Sequence, residues 1–305
     1  MLQSLRRWGG RWAQAPVIAV TPRFGPPLAP QTRQALERLQ VEHLSFQAPN
    51  PYAWKAFLNK HYALAAVEER STSPWIGWLD SDLLITDEPD QLFLEPGMDF
   101  RACPADGIGA TTGPGDPMEN YWREVCQVVG IEIEALPWVT TEVENSKVRI
   151  YFNSGVFIYR RSTGLSQQHL ANTLKLFDAR LASQVTGTYF TQHLLGITVA
   201  QMGLSWGCLP HSHNYSTGSK KYPQWYIPEK LRSAKILHYH NAMWPSFWPT
   251  FLQCMQDTHP AVATWLASIG PMQNHAALPA RLFNRSLKFL RERKSSAYSA
   301  SCSVL

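Results

Sequence analysis

The chain reads Trp75-Ile76-Gly77-Trp78-Leu79-Asp80-Ser81-Asp82-Leu83-Leu84-Ile85, an apolar run that carries two carboxylates one residue apart. Residues i and i+2 of a strand share a face, so we expect Asp80 and Asp82 to point the same way at the carboxyl end of a buried strand. Two like charges held this close require a compensating cation, and carboxylates suit Mg²⁺ or Mn²⁺. The motif therefore predicts a divalent metal site with open positions for phosphate oxygens. The alternative is a strand-end turn with two solvated aspartates.

The segments before this motif alternate between strand and helix patterns. Apolar runs predict strands at 17–21, 41–46 and 75–79, and apolar residues at helical spacing predict helices at 31–39 and 54–69. This β-α-β-α-β order predicts an α/β fold with a Rossmann-like, mostly parallel central sheet flanked by helices. Ligands bind such sheets at the carboxyl ends of the strands, which is where Asp80 and Asp82 lie.

The same periodicities predict the rest of the chain. Strands are expected at 100–104, 148–159 and 236–239, and helices at 118–129, 168–182, 190–202 and beyond Pro249. A stretch rich in Gly, Pro and Thr at 107–117 predicts a flexible loop. We expect a catalytic domain at 1–248, with an insertion at 107–149, and a helical, basic C-terminal extension at 249–305 whose last residues, 295–305, are frayed.

Composition narrows the class of protein. The 305 residues are 45% hydrophobic, which predicts one large folded domain or two modest ones. The net charge of +5 is mild, and basic residues are dispersed until the C-terminal region, which favours a small anionic ligand over nucleic acid. The five cysteines lack metal-ligand spacing and predict free thiols in a reducing, cytoplasmic compartment. Neither a transmembrane helix nor a secretory signal is predicted.

Two other segments end or interrupt apolar runs with polar residues. Asn153-Ser154-Gly155 interrupts a strand pattern at 148–159, and His238 ends the run at 234–238. Buried amide and hydroxyl groups need partners, which sugar hydroxyls can supply, and Gly155 permits a ligand to approach the backbone closely. The alternatives are a bulge bonded to neighbouring loops and a histidine with a structural role.

Taken in order, these motifs resemble glycogenin and the related retaining glycosyltransferases of family 8, which have the GT-A fold. The resemblance covers about residues 17–244 and rests on several segments. Trp78-Leu79-Asp80-Ser81-Asp82 resembles the family's Asp-x-Asp motif, and Phe152-Asn153-Ser154-Gly155-Val156-Phe157 resembles its Phe-Asn-Ser-Gly-Val segment. Similar matches are seen for the lysine-bearing segment 59–64, the aspartate-bearing segment 102–106, the Leu-Pro-x-x-Tyr-Asn segment at 209–215 and the histidine strand at 234–239.

The resemblance implies a role for each matching residue. The metal ligands for Mn²⁺ or Mg²⁺ would be Asp80, Asp82 and His238. The nucleotide sugar would be contacted by Lys60, and its base would lie near Thr21. The donor sugar would be held by Asp106, Asn153 and Ser154 beside Gly155, and its anomeric carbon would lie near Gln192, which Thr191 precedes. It further implies metal-dependent hexosyl transfer, with retention, from a nucleotide-diphosphate sugar. A UDP-sugar is the favoured donor, and the acceptor is a glycan, a lipid-linked sugar or a protein.

The chain departs from the family pattern at three places. Thr191-Gln192 stands where the family has Asp-Gln. The phosphate-binding lysine that follows the family's histidine is also absent, and the candidate replacements are His240, Lys220 and Lys221. The insertion at 107–149 is assigned to the acceptor side. These departures keep open a non-catalytic sugar-nucleotide or glycan-binding protein. An Asp-x-Asp phosphatase is disfavoured, because Leu84 occupies the place of its usual Thr or Val.

The segment 281–294 has the pattern of a basic amphipathic helix. Its apolar residues are Leu282, Phe283, Leu287, Phe289 and Leu290, and its basic residues are Arg281, Arg285, Lys288, Arg291, Arg293 and Lys294. The pattern predicts either peripheral contact with an anionic membrane or a helix that packs on the catalytic domain with a solvated outer face.

Overall fold

A computed structural model describes residues 1–105, 109–181, 190–217, 227–273 and 278–302. Its helices are α1 (Leu2–Trp8), α2 (Pro30–Arg38), α3 (Leu58–Arg70), α4 (Glu119–Val129), α5 (Leu165–Asp178), α6 (Phe190–Gln201), α7 (Pro228–Arg232), α8 (Trp248–Thr258), α9 (Pro260–Ile269) and α10 (Leu278–Ala300). Its strands are β1 (Val17–Thr21), β2 (Val41–Ser45), β3 (Trp75–Leu79), β4 (Leu83–Ile85), β5 (Phe100–Pro104), β6 (Trp138–Thr140), β7 (Lys147–Arg149), β8 (Phe152–Arg160), β9 (Trp206–Cys208), β10 (Tyr215–Ser216) and β11 (Ile236–His238).

The central sheet has the strand order β3-β8-β5-β9. Strand β8 runs antiparallel to both β3 and β5, whereas β9 runs parallel to β5. The sheet is therefore mixed: β3, β5 and β9 point the same way, and β8 runs against them. An apolar run identifies a strand but not its direction, and here α4 and the β6–β7 hairpin lie between β5 and β8 in the chain.

Three smaller sheets accompany the central one. Strands β1 and β2 pair in parallel, with Thr21 opposite Ser45, as the βαβ pattern predicted. Strands β10, β11 and β4 form a second group, and β6 and β7 form a hairpin. Within the described residues, β3 is hydrogen-bonded to β8 instead of to the β1–β2 pair.

Most predicted elements are present, with shifts that have local causes. Strands β1, β3 and β5 have the predicted bounds. Helix α3 begins at Leu58 instead of residue 54, because the side chain of Asn50 accepts a hydrogen bond from the Tyr52 amide at 2.9 Å and forms a turn. The break in the apolar run 148–159 lies between β7 and β8, and β8 continues through Asn153-Ser154-Gly155.

The segment that was predicted as an insertion contributes to the main hydrophobic core. Trp122 and Cys126 of α4 are fully buried in the same cluster as Phe152 and Phe177. The described part of the predicted flexible loop, residues 109–117, is a compact turn in which the Asp116 carboxylate accepts hydrogen bonds from the amides of residues 112 and 118. These residues form a loop, as predicted, and the flexibility of the loop stays a prediction.

A buried ion pair joins α4 to β7. The guanidinium of Arg149 donates to both carboxylate oxygens of Glu119, at 2.7 and 3.3 Å, and to the carbonyl of Ile133 at 2.8 Å. The hydroxyl of Thr111 donates to Glu119 Oε2 at 2.8 Å. Because Glu119 is 6% exposed and Arg149 is 4% exposed, each charge depends on the other for its stabilisation.

Buried histidines make the stability of this fold sensitive to acid. His169 and His193 are buried, and burial lowers the pKa of each ring from 6.5 to about 3. Between these pKa values the unfolded chain binds protons that the folded chain does not, so the free energy of unfolding falls as the pH falls. We expect these two rings to remove about 2 kcal/mol between pH 6 and pH 5. Urea unfolding at the two pH values measures the loss, and equal free energies would contradict it.

The C-terminal helix extends further than predicted. Helix α10 continues to Ala300, and the hydroxyl of Tyr298 donates to the carbonyl of Phe177 at 2.9 Å. The Tyr298 ring is buried against Trp54 at a centroid distance of 5.1 Å. The prediction of frayed residues is therefore wrong for 295–300, because an aromatic side chain anchors the helix end. No helix in the described ranges is long and apolar enough to cross a membrane.

Candidate metal and donor site

The pairing of β4 with β11 brings a histidine to the paired acids. These strands are antiparallel, with His238 opposite Leu83. The amide of Tyr239 also donates to the backbone carbonyl of Asp82 at 3.1 Å. Because Asp82 immediately precedes β4, this pairing places the His238 ring beside the Asp82 carboxylate.

Asp82, His238 and His240 form a cluster with the geometry of cation ligands. His238 Nε2 lies 3.2 Å from Asp82 Oδ1, and His240 Nδ1 lies 3.9 Å from Asp82 Oδ2. One ligand atom from each residue lies within 4.8 Å of the others. Neighbouring ligands of an octahedral cation with bonds of about 2.1 Å lie about 3 Å apart, which the His238–Asp82 distance matches and the His240–Asp82 distance exceeds by about 1 Å.

Polar side chains behind the two imidazoles orient them toward Asp82. Asn214 Oδ1 lies 3.3 Å from His238 Nδ1, and Ser216 Oγ lies 3.1 Å from His240 Nε2. An amide oxygen accepts hydrogen bonds, so the neutral tautomer that donates from Nδ1 to Asn214 would offer the lone pair of Nε2 to a cation next to Asp82. A Cβ atom on Gly155 would lie 2.8 Å from Cε1 of His238, so only glycine leaves room for this ring position.

The protonation states of the cluster suit a cation. Burial alone would raise the pKa of the Asp82 carboxyl, but the hydrogen bond to His238 and the charges of both histidines hold that pKa below its ordinary value. Burial first, and the neighbouring His238 ring second, lower the pKa of His240 to about 4. At neutral pH Asp82 is therefore ionised and His240 is neutral, as metal ligands must be.

Asp80 lies outside this cluster and pairs with the predicted donor-binding lysine. Its Oδ1 accepts a hydrogen bond from the Trp78 indole at 2.6 Å and lies 3.0 Å from Lys60 Nζ. Lys60 also donates to the carbonyl of Ser154 at 2.7 Å. These contacts join the ends of β3 and β8 through one ammonium group. The role of Asp80 as a metal ligand stays a prediction.

One cleft of about 1370 Å³ collects most of the predicted site residues. Those that line it are Lys60, Asp80, Asp82, Asn153, Ser154, Gly155, Thr191, Gln192 and His238, together with His240. Within it, the hydroxyls of Ser154 and Thr191 lie 3.3 Å apart. The cleft thus places the cluster and the predicted catalytic Gln192 on the wall of one space.

Thr21 lies elsewhere, and three predicted residues are not described. Thr21 lines a separate cavity of about 450 Å³ with Arg23, Arg33 and His43, and its hydroxyl lies 3.1 Å from His43 Nε2. Asp106, Lys220 and Lys221 fall outside the described residues.

Sequence reasoning gave His240 a different role and missed Asn214. His240 was a candidate for phosphate binding, yet the structure places its ring next to His238 at a centroid distance of 4.3 Å. Its backbone adopts φ 47°, a left-handed conformation that costs a non-glycine residue about 1 kcal/mol, and no periodicity predicts such a turn. Asn214 lies inside the 209–215 segment on which the family resemblance rests, so the resemblance could have identified it as a site residue.

Removing the Asn214 side chain tests whether its contact with His238 supports cation binding. We expect Asn214→Ala to weaken Mn²⁺ affinity by about 10–100-fold, because His238 loses the partner that fixes its tautomer. Isothermal titration of Mn²⁺ measures the change, with the exposed Asn241→Ala as the matched control. Unaltered affinity in Asn214→Ala would show that this contact does not support the site.

A family model and several solved structures are similar to this chain. A family model described as "Rhodobacterales glycosyltransferase domain" matches residues 1–203. No curated protein matches the chain. Solved structures similar to it include the glycosyltransferase GlyE of Streptococcus pneumoniae TIGR4, at 14% identity and a TM-score of 0.45 over 86% of this chain and 58% of that one. The apo bifunctional glycosyltransferase WbbM is 11% identical, with a TM-score of 0.42 over 81% of this chain and 45% of that one.

Mouse xyloside xylosyltransferase 1 is a third similar structure. It is 12% identical, with a TM-score of 0.39 over 69% of this chain and 80% of that one. The present chain spans less than two thirds of the length of the GlyE and WbbM chains.

Proposed function

This chain belongs to the Rhodobacterales glycosyltransferase domain family, and from that premise we propose that it moves a hexose from a nucleotide-diphosphate sugar to an acceptor hydroxyl in a metal-dependent reaction. A UDP-sugar is the proposed donor, and a glycan, a lipid-linked sugar or a protein is the proposed acceptor. The observation that carries the proposal is the cluster of Asp82, His238 and His240 on the wall of the large cleft. A GT-A arrangement and retention at the anomeric carbon belong to the same proposal.

The cluster would hold the leaving group through a cation. Asp82, His238 and His240 are the proposed ligands of Mn²⁺ or Mg²⁺, with Asp80 close by on Lys60. When bound, the ion supplies Lewis-acid stabilisation of the departing diphosphate. The imidazole ligands favour Mn²⁺, since Mg²⁺ prefers oxygen ligands.

Lys60 supports the proposal through its contacts with Asp80 and Ser154. Its ammonium group is held by the Asp80 carboxylate and the Ser154 carbonyl, so a positive charge is fixed beside the predicted donor residues. A fixed ammonium group at this position lowers the energy of a developing diphosphate charge without reorganisation. We therefore assign Lys60 to the donor.

Thr191 and Gln192 support a role at the sugar. Both line the same cleft, and the Thr191 hydroxyl lies 3.3 Å from that of Ser154. A hydroxyl that contacts Ser154 positions the donor-binding segment, whereas the amide oxygen of Gln192 can face positive charge at the anomeric carbon. This assignment requires no carboxylate at position 191.

The acceptor side is proposed to involve the exposed parts of residues 109–149. Helix α4 belongs to the core, so deleting the segment would unfold the protein instead of testing acceptor choice. Trp138, which is 37% exposed, is the residue to replace in an acceptor test.

The proposal is tested by the dependence of donor binding on Mn²⁺. Nucleotide sugars are screened by thermal shift with and without Mn²⁺, and the best donor is then assayed for transfer and hydrolysis. We expect one donor to raise the melting temperature only with Mn²⁺, because binding to the folded state raises its stability. Stabilisation without turnover would favour the non-catalytic sugar-nucleotide-binding alternative. Failure of every donor to bind would contradict the proposal.

A further inference from the structure

Helix α10 exposes an apolar face. Five large apolar side chains of this helix are exposed, between 39% and 65%: Leu278, Leu282, Phe283, Phe289 and Leu290. At about 100° per residue, these positions cover an arc of about 140°. Tyr298, which is buried, lies outside this arc and marks the side of the helix that faces the body of the protein. The exposed apolar arc therefore faces away from the core.

The same helix accounts for the net charge of the chain. It contains six basic residues and one acidic residue, Glu292, which gives 6 − 1 = +5, and the whole chain has 28 − 23 = +5. The formal charges of all residues outside this helix therefore sum to zero. Arg281, Arg285 and Lys288 line one edge of the apolar arc on the helical wheel.

The apolar surface extends onto the loop after β1. Phe24 is 66% exposed, and its ring lies 6.3 Å from that of Phe283. Burial first, and the like charge of Arg23 second, lower the pKa of Arg291 of the helix, so positive charges of the loop and the helix lie near each other. The loop and the helix thus form one surface that combines apolar rings with positive charge.

We propose that this surface, α10 with Phe24, docks on the headgroup region of an anionic lipid bilayer. An apolar arc beside a row of basic residues suits a helix that lies in the plane of a membrane interface. Helix α10 carries too many charges to span the bilayer. The binding does not depend on the transfer reaction proposed above.

Charge favours a bilayer over the other occupants of such a surface. A second copy would bring one helix of charge +5 against another, and this repulsion opposes a dimer through α10. Nucleic acid would match the charge but would leave the exposed leucine and phenylalanine side chains in water. An anionic bilayer matches both the charge and the apolar arc.

Vesicle co-sedimentation tests the inference with the full chain. Vesicles of phosphatidylcholine alone are compared with vesicles that contain phosphatidylglycerol, at low and high salt. We expect binding only to the anionic vesicles and its loss at high salt. Equal binding to both kinds of vesicle, or no binding to either, would overturn the proposal. Capture of an acidic protein without vesicle binding would also overturn it.

Two charge variants locate the binding surface. Each basic residue near an anionic surface contributes about fivefold to partitioning, so R281Q/R285Q/K288Q is expected to reduce it about 100-fold. The control R38Q/K175Q/R232Q removes the same charge from exposed positions on α2, α5 and α7, and we expect it to lower partitioning less than about fivefold. Equal losses in the two variants would show that overall charge, and not α10, binds the lipid. Circular dichroism verifies that both variants are folded.

Discussion

Replacing Asp82 by Asn is expected to reduce sugar transfer by on the order of 1000-fold. Asp82 is the carboxylate of the cluster, and it lies within 3.2 Å of His238 Nε2 and 3.9 Å of His240 Nδ1. The amide keeps the size of the side chain but removes the charge that binds the cation. Initial rates with saturating Mn²⁺ and donor measure the loss.

A nearby carboxylate provides the control for this variant. Asp87 follows β4 and is exposed, so Asp87→Asn is expected to leave transfer unchanged. Circular dichroism and melting temperature establish whether Asp82→Asn is folded. Turnover of folded Asp82→Asn at the rate of the unsubstituted protein, or full activity of that protein in excess chelator, would exclude a catalytic cation at this site.

Replacing Glu119 by Ala is expected to lower the free energy of unfolding by about 3–5 kcal/mol. The substitution leaves the guanidinium of Arg149, which is 4% exposed, without the carboxylate that it contacts at 2.7 Å. The hydroxyl of Thr111 loses the same acceptor. Urea or thermal unfolding of the two proteins measures the difference.

Two further variants separate burial from charge. Glu134 pairs with Arg123 at 2.8 Å but is 62% exposed, so Glu134→Gln is expected to change stability by less than about 1 kcal/mol. The double variant E119M/R149M removes both buried charges and is expected to recover most of the lost stability. A Glu119→Ala protein as stable as Glu134→Gln would show that the buried pair contributes little.

The sequence predicted elements whose signal is local. The strand at 75–79 and the strand at 100–104 were found from continuous apolar runs, and Asp82 and His238 were brought together by a resemblance that covers both. Strand β4 was missed because it has only three residues and follows two aspartates directly. Its pairing with β11 is a contact between residues more than 150 positions apart, which no window along the chain detects.

The direction of strand β8 and several contacts of the site side chains could not be predicted from the sequence. The apolar run at 148–159, interrupted by Asn153-Ser154-Gly155, predicted a strand, but the sequence carried no information on whether β8 pairs parallel or antiparallel. Asp80 and Asp82 were expected to share one ligand role; the structure shows Asp80 in contact with Lys60 and Trp78, and its role as a metal ligand stays a prediction. His240 reaches the cluster through a backbone turn at φ 47°, which hydrophobic periodicity does not encode.

Anomalous diffraction from crystals that contain Mn²⁺ and UDP locates the cation itself. We expect one strong manganese peak within about 2.2 Å of Asp82, His238 and His240, and loss of that peak in His240→Ala. A peak bound to Asp80 and Asp82 without His240 would contradict the ligand set. Crystals with UDP in the cleft and no manganese near Asp82 would contradict a cation-dependent transfer altogether.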